Sequence, residues 1–292
     1  MNPDQEQIVA PPVIEFCRST GLGEIRATET LKGGAISLTR RLTTNSGAKL
    51  ILKQSAQPPE DLYLREAEGL RALKAAGMHT PEVLLVGSDF MLVEDLGSAS
   101  RDQLDWQALG RAVAQLHLHT HDQFGFDHDN YLGLLPQYNP WTNDGHVFFG
   151  QYRLLRFLEV PLCEQSLSAQ DRASLERLVR RLPELIPVQP PSLLHGDLWR
   201  ENILLGAEGR AAVVDPAVYY GWPEAELAMA QQYPGIPRIF FDAYVEVNPL
   251  EPGWWERLEI LYLREILSCI AHFGGERNNT LGQLRAILAR FA

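Results

Sequence analysis

The sequence predicts an α+β chain of two lobes, β-rich over residues 1–96 and mostly helical over 97–292. Three observations predict it. Short apolar runs separated by turn residues fill the first third. Apolar residues at helical spacing dominate the rest. Gly97-Ser98 marks the change of character, which puts the boundary near residues 95–100.

In the first lobe, residues 36–42 and 49–53 are β-favouring runs joined by Asn45-Ser46-Gly47, a hairpin turn. Residues 61–76 read as a helix, with Leu70 and Leu73 on its apolar face and Gly77 as a stop. Two further strands follow at 83–86 and 91–93, separated by Gly87-Ser88-Asp89. In the second lobe, Leu109, Ala112, Val113 and Leu116 fall on one helical face. Helical patterns also cover 146–164, 169–182, 224–232, 237–247, 253–273 and 280–291, and Phe148 and Phe149 are expected in the core. Short apolar runs at 192–194, 203–205 and 211–214 read as strands.

The formal net charge is −11, which opposes binding to nucleic acid or to anionic membrane surfaces. The apolar stretch 258–273 is interrupted by Glu259, Arg264 and Glu265, so no membrane span is expected. Three separated cysteines (Cys17, Cys163 and Cys269) have no metal-ligand spacing and suit a reducing cytosol. Asp4 and Glu6 stand where a secretory signal would carry positive charge. A cytoplasmic enzyme acting on a small molecule is the expectation. His117, His119 and His121 are spaced i, i+2, which does not align them on a helix face for a metal.

The informative stretch is Leu194-His195-Gly196-Asp197-Leu198-Trp199-Arg200-Glu201-Asn202, followed by a strand and then Asp215-Pro216-Ala217. An Asp and an Asn on a short loop, with a second Asp after the strand, gather oxygen ligands at one end of a hairpin. Phosphoryl transfer needs such a set: an acceptor for the proton of the attacking hydroxyl, and hard oxygen ligands for Mg²⁺. Asp197 is therefore expected to orient the hydroxyl and take its proton, and Asn202 and Asp215 to bind metal. His195 is expected to support the loop by hydrogen bonding. A turn in which these side chains only cap backbone groups is the alternative, and the second Asp argues against it.

The first lobe should then hold ATP. Gly33-Gly34 could lay backbone amides over phosphates. Lys53 ends an apolar strand and Glu66 lies on the next helix, a pairing suited to the α and β phosphates, whereas Glu68 should face elsewhere. Backbone groups of Glu94 and Leu96, in the run 91–96, are expected to bind adenine.

These residues go beyond a generic phosphotransferase. His195-Gly196-Asp197-Leu198-Trp199 with Asn202, then Asp215-Pro216-Ala217-Val218-Tyr219-Tyr220-Gly221, resembles the fructosamine kinase (ketosamine 3-kinase) family. Phe124-Gly125-Phe126-Asp127, Asn130-Tyr131-Leu132-Gly133, Pro136-Gln137 with Asn139 and Trp141, and Pro249-Leu250-Glu251-Pro252-Gly253 extend the match from Gly33 to Gly275. The resemblance implies a protein-kinase-like fold and ATP- and Mg²⁺-dependent phosphorylation of the sugar 3-hydroxyl of ketosamines such as fructoselysine or ribuloselysine. It implies a role in reversing glycation, in a monomer or homodimer. It assigns Lys53, Glu66, Asp197, Asn202 and Asp215 the same roles.

The chain also departs from the family pattern. Ala35 replaces a cysteine common in relatives, Trp222-Pro223 replaces His-Arg, and Glu226 stands where relatives usually have Asp. Arg200-Glu201 replaces a small pair. A sugar ring packs on aromatic faces while polar groups read its hydroxyls, so Asn130, Trp141, Trp199, Tyr219 and Tyr220 are the substrate candidates. An aminoglycoside, choline-like or other small-molecule kinase of the same fold is an alternative, as is a silent nucleotide-binding protein. The filled catalytic positions oppose the latter.

Overall fold

The computed structural model describes residues 9–31, 37–97, 100–232 and 236–292. Gly33, Gly34, Ala35 and Ile36 lie outside them. Contacts divide the chain into two compact units. The first comprises residues up to Leu104 together with Glu201–Pro216, and the second comprises Asp105–Arg200 and Ala217–Ala292. The division therefore falls after Leu104 rather than near residue 96, and the hairpin following Arg200 groups with the first unit.

The first unit is built on five antiparallel strands: β1 (Ile25–Thr30), β2 (Leu38–Thr44), β3 (Lys49–Gln54), β4 (Val83–Val86) and β5 (Phe90–Glu94). Their order is β1-β2-β3-β5-β4, which makes β3 central. The β2–β3 turn closes at Gly47, whose φ of 87° suits glycine and whose N–H donates to Thr44 O at 3.0 Å. Helix α1 (Pro11–Ser19) begins on a proline, a residue pre-set for the first helical turn. Its Val13 and Cys17 pack with Ile25, Leu42, Leu50, Leu52 and Leu92 to form an apolar core. Helix α2 (Leu62–Ala75) buries Tyr63, Ala67, Leu70 and Leu73. Backbone and side-chain bonds tie in the hairpin β9 (Ile203–Leu205) and β10 (Ala211–Val213). Ala207 N–H donates to Leu96 O at 2.8 Å, Val213 N–H to His79 O at 2.9 Å, and Arg101 Nε to Ile203 O at 2.9 Å.

The second unit is mainly helical. Helix α3 (Trp106–His117) starts at Asp105, whose carboxylate accepts from Ala108 N–H. A hairpin follows, β6 (Asn130–Leu132) with β7 (Leu135–Gln137), and then the segment expected as one helix over 146–164. It is instead broken into α4 (Gly145–Phe149), a π turn (Gly150–Leu154), a 3₁₀ turn (Leu155–Glu159) and α5 (Pro161–Ser166). The π turn widens the helix where the buried Arg153 reaches Tyr138 O at 2.7 Å. Pro161 then holds Val160 in extended backbone.

Helix α6 (Ala169–Leu185) opens with a reciprocal cap between Ser168 and Asp171. Strand β8 (Ser192–Leu194) pairs antiparallel with β11 (Tyr219–Gly221). Helices α7 (Pro223–Gln232), α8 (Arg238–Val247), α9 (Trp254–Leu261), α10 (Leu263–Phe273) and α11 (Thr280–Phe291) complete the unit. The helix expected over 253–273 turns at Tyr262, where ψ is −14°. Gly110 of α3 allows close approach to α8: a Cβ there would lie 2.2 Å from Phe240 O. Among the described residues no helix is long and apolar enough to cross a membrane.

Candidate active site

In the first unit, Lys53 lies on the central strand between Thr39 and Met91. Its side chain is nearly buried, and Nζ donates to Glu66 and, at 2.8 Å, to Oδ1 of Asp215. Burial alone would lower the ammonium pKa, but the carboxylates of Asp215 and Glu66 outweigh it and hold it above the usual lysine range. The lysine is a fixed cation. Glu66 points inward from α2, whereas Glu68 pairs with Arg65 at 3.0 Å.

Asp215 follows β10 with φ of 58°, a left-handed conformation that Asp tolerates better than most residues. Asn202 is buried at the end of the 3₁₀ turn Arg200–Asn202, and its carbonyl accepts from Val214 N–H at 3.0 Å. That bond sets the backbone of Asn202 beside the residue preceding Asp215. Two side-chain oxygens from such a pair would be too few for a free cation but would suit Mg²⁺ carried on phosphates, which takes one or two protein oxygens. Among the described residues no cluster of three or more His, Cys, Asp or Glu is placed to hold a metal.

The segment after β5 is fixed by Asp95, which accepts from Arg41 Nε at 2.6 Å and from Gly97 N–H at 2.9 Å. Glu94 N–H donates to Glu82 O at 2.9 Å, and Leu96 O is taken by Ala207. Arg41, Lys49, Asp95, Leu96, Gly97 and Ala207 line a cavity of about 360 Å³.

In the second unit, β8 runs directly into His195-Gly196-Asp197. Gly196 has φ of 82°, and a Cβ there would sit 1.9 Å from Ala217 O, so only glycine fits. Ala217 N–H in turn donates to His195 O at 2.9 Å. The carboxylate of Glu226, fully enclosed on α7, accepts from His195 N–H at 3.0 Å, Gly196 N–H at 2.7 Å and His117 Nε2 at 2.9 Å. Tyr244 OH lies 2.8 Å from His117 Nδ1 and takes a bond from Asn248 Nδ2 at 2.9 Å. Burial would raise the Glu226 carboxyl, but these donors prevail and hold it below the usual range. His195 supports the loop as expected: its Nδ1 accepts from Asp197 N–H at 3.2 Å.

The substrate candidates fall into two groups. Trp141 and Tyr220 are half-buried, 6.1 Å apart between ring centroids, with His121 stacked on Trp141 at 4.3 Å. Trp199 is also half-buried, two residues beyond Asp197. Asn130 and Tyr219 are buried. Asn130 donates to Val218 O at 2.8 Å and accepts from Gln137 and Asn139. The Tyr219 ring lies 4.0 Å under the Arg153 guanidinium. Sequence reasoning missed the parts played by His117 and Tyr244, whose partners lie over a hundred positions away. It noted Arg264 only as an interruption of an apolar run.

Comparison with known proteins agrees with this arrangement over almost the whole chain. The family model for fructosamine kinase matches residues 15–290. A protein of Enterococcus faecium described as a probable ketoamine kinase is 35% identical over 262 residues, spanning 86% of this chain and 91% of its own. The chloroplastic protein-ribulosamine 3-kinase of Oryza sativa subsp. indica is 32% identical over 272 residues, 88% of this chain and 78% of its own. The crystal structure of a protein assigned as a fructosamine-3-kinase from Thermobifida fusca YX-ER1 superposes with a TM-score of 0.84 at 28% identity, covering 94% of this chain and 97% of that one. With the Lys53–Glu66–Asp215 cluster, the pinned His195-Gly196-Asp197 loop and a protein-kinase-like α+β fold all carried within the matched span, the chain belongs to the fructosamine kinase family.

Proposed function

We propose that this protein is an ATP-dependent kinase that phosphorylates the sugar 3-hydroxyl of ketosamines, the fructosamine and ribulosamine adducts of lysine, as a deglycation repair activity. The observation that carries the reading is the buried Lys53 cation held by both Glu66 and Asp215. A charge fixed in this way is positioned to bind the α and β phosphates of ATP. Family membership and the names of its relatives support the ketosamine as acceptor.

In this reading Asp197 accepts the hydrogen bond of the attacking hydroxyl and takes its proton as the new P–O bond forms and ADP departs. Glu226 contributes by clamping the amides of His195 and Gly196, so the loop is ordered before substrate arrives. Asn202 and Asp215 would hold Mg²⁺. When bound, the ion neutralises charge on the phosphates and the transferred group. Glu94 and Leu96 offer backbone groups to adenine, and Gly33-Gly34 offers amides to phosphate. The paired rings of Trp141 and Tyr220 offer an aromatic face to the sugar, and Trp199, two residues beyond Asp197 in sequence, is a further contact. Cys17 and Cys163 are buried free thiols and Cys269 is half-buried, which suits a reducing, cytoplasmic setting.

The test is ADP release with Mg-ATP over an acceptor panel of ribuloselysine, fructoselysine, kanamycin and choline. Turnover with a ketosamine is expected. Turnover with kanamycin or choline alone would overturn the substrate assignment.

A further inference from the structure

A buried polar hub lies beneath the His195–Asp197 loop. Arg264, in the first turn of α10, is 3% exposed. Its Nη2 donates to Gly196 O at 2.9 Å and to Gln137 Oε1 at 2.8 Å, while Nη1 meets the Glu265 carboxylate. An enclosed guanidinium is costly unless paired and hydrogen-bonded. Burial opposes its charge here, but Glu265, with smaller contributions from Tyr219 and Asp197, keeps it protonated.

The target of Nη2 is informative. Gly196 O and Asp197 N–H are the two ends of one peptide plane. Arg264 holds the oxygen, and His195 Nδ1 holds the N–H at 3.2 Å. Glycine is the residue whose adjoining planes rotate most freely, and Gly196 is in left-handed backbone. An ungripped plane at this point would let the Asp197 side chain swing.

Gln137 supplies a second arm. Its Nε2 donates to Ala217 O at 3.0 Å and to Asn130 Oδ1 at 2.9 Å, and Asn130 holds Val218 O. The hub therefore ties the loop bearing Asp197 to the segment directly after Asp215-Pro216. This accounts physically for the Pro136-Gln137 and Asn130 strings, which stand away from the catalytic stretch in sequence.

We propose that Arg264, with Gln137 as its second arm, is a positioning residue for phosphoryl transfer. It fixes the Gly196–Asp197 peptide plane, and so aims the Asp197 carboxylate, without touching substrate. The inference rests on the reading of Asp197 as proton acceptor.

Removing Arg264 alone would strand Glu265 in the interior, so the informative variant is the double Arg264→Met/Glu265→Met. Replacing both partners of a buried ion pair by apolar residues is usually tolerated. The expected result is a folded protein whose kcat falls about 10²-fold, the scale on which a small misplacement acts. KM values for Mg-ATP and acceptor should change less than about threefold, since ground-state binding is untouched. Amide exchange across residues 194–199 should accelerate while α6 and α11 keep wild-type protection. Arg264→Lys, which keeps the charge but loses the planar fork, should recover part of kcat.

Wild-type kcat and unchanged exchange at 194–199 in the double variant would overturn the proposal. So would faster exchange spread evenly over the second unit, which marks bulk stability. If the wild type turns over kanamycin or choline in place of a ketosamine, the substrate reading fails and the kinetic arm runs on that acceptor. The exchange arm needs no substrate.

Discussion

Lys53 Nζ donates to Asp215 Oδ1 at 2.8 Å, joining the central strand to a residue 162 positions later. With Glu66 on its other side, the ammonium separates two carboxylates. Lys53→Met should therefore act twice. It leaves those carboxylates facing each other, and stability should fall by somewhat less than the roughly 3–5 kcal/mol of a fully buried pair, because the Asp215 side chain is 42% exposed. ATP affinity should fall about tenfold to a hundredfold, the range for a lost charge-assisted contact. Urea melts and an ATP titration check the two effects, and unchanged ATP affinity would remove Lys53 from the phosphate site.

Asp197 and Asp215 should separate chemistry from binding. Asp197→Asn keeps the shape of the side chain but cannot take a proton, so turnover should drop by orders of magnitude while Mg-ATP affinity stays near wild type. Asp215→Ala should instead abolish the Mg²⁺ dependence of ATP binding. Paired calorimetric titrations with and without Mg²⁺, together with ADP release, distinguish the two outcomes. Near-wild-type turnover in Asp197→Asn would exclude it as the proton acceptor.

Much of this arrangement is legible in sequence because its signals are local. The Asn45–Gly47 turn, the β-favouring run in β3 and the Gly77 stop after α2 each depend on neighbours within a few positions. Strand β1 gave no such signal, since only Ile25 is buried along it. Helix α1 has no side-chain cap, and Ala10 precedes its paired prolines. The π turn carries Arg153, whose guanidinium bonds the carbonyl of Tyr138, a distant partner that helical periodicity cannot report. For the proposed site, the Asp-Asn-Asp spacing is a local signal, because the three residues fall within a short stretch of sequence. The supports are not local. His117 reaches Glu226 across 109 positions, and its spacing to His119 and His121 gave no hint of that partner. Arg264 and Glu265 did leave a trace, as charges inside an otherwise apolar helix.

The aromatic pair Trp141 and Tyr220 should affect acceptor binding alone. Either alanine variant should raise KM for the ketosamine about threefold to tenfold, as expected for an aromatic contact of about 0.5–1.5 kcal/mol. KM for ATP should not move. Tyr219→Ala makes a useful contrast, because its ring lies under the buried Arg153. It should lower the melting temperature first. A Trp141→Ala variant with unaltered acceptor KM would place the sugar elsewhere.

Glu226 ties loop geometry to pH. Its carboxyl is held below the ordinary glutamate value despite burial, because the bond and charge of His117, the charge of His195 and the Gly196 amide favour the anion. A carboxyl depressed in the folded state takes up its proton first in the unfolded chain, at about pH 4.3. Its contribution to stability is therefore complete above that pH and is lost as pH falls toward the folded-state value. Glu226→Gln turns an amide NH₂ toward groups that are themselves donors, leaving at least one unsatisfied at a cost of about 1–3 kcal/mol at neutral pH. Its stability should also vary less steeply with pH below about 4.3 than that of the wild type. Glu226→Asp keeps the charge but is one methylene shorter, so it should reach the two loop amides and release His117. Its stability and kcat should fall between those of the wild type and Glu226→Gln. Urea melts from pH 3 to 7, with kcat measured at neutral pH, test the series. Equal pH slopes for wild type and Glu226→Gln would show that the carboxylate is not what secures the loop in acid.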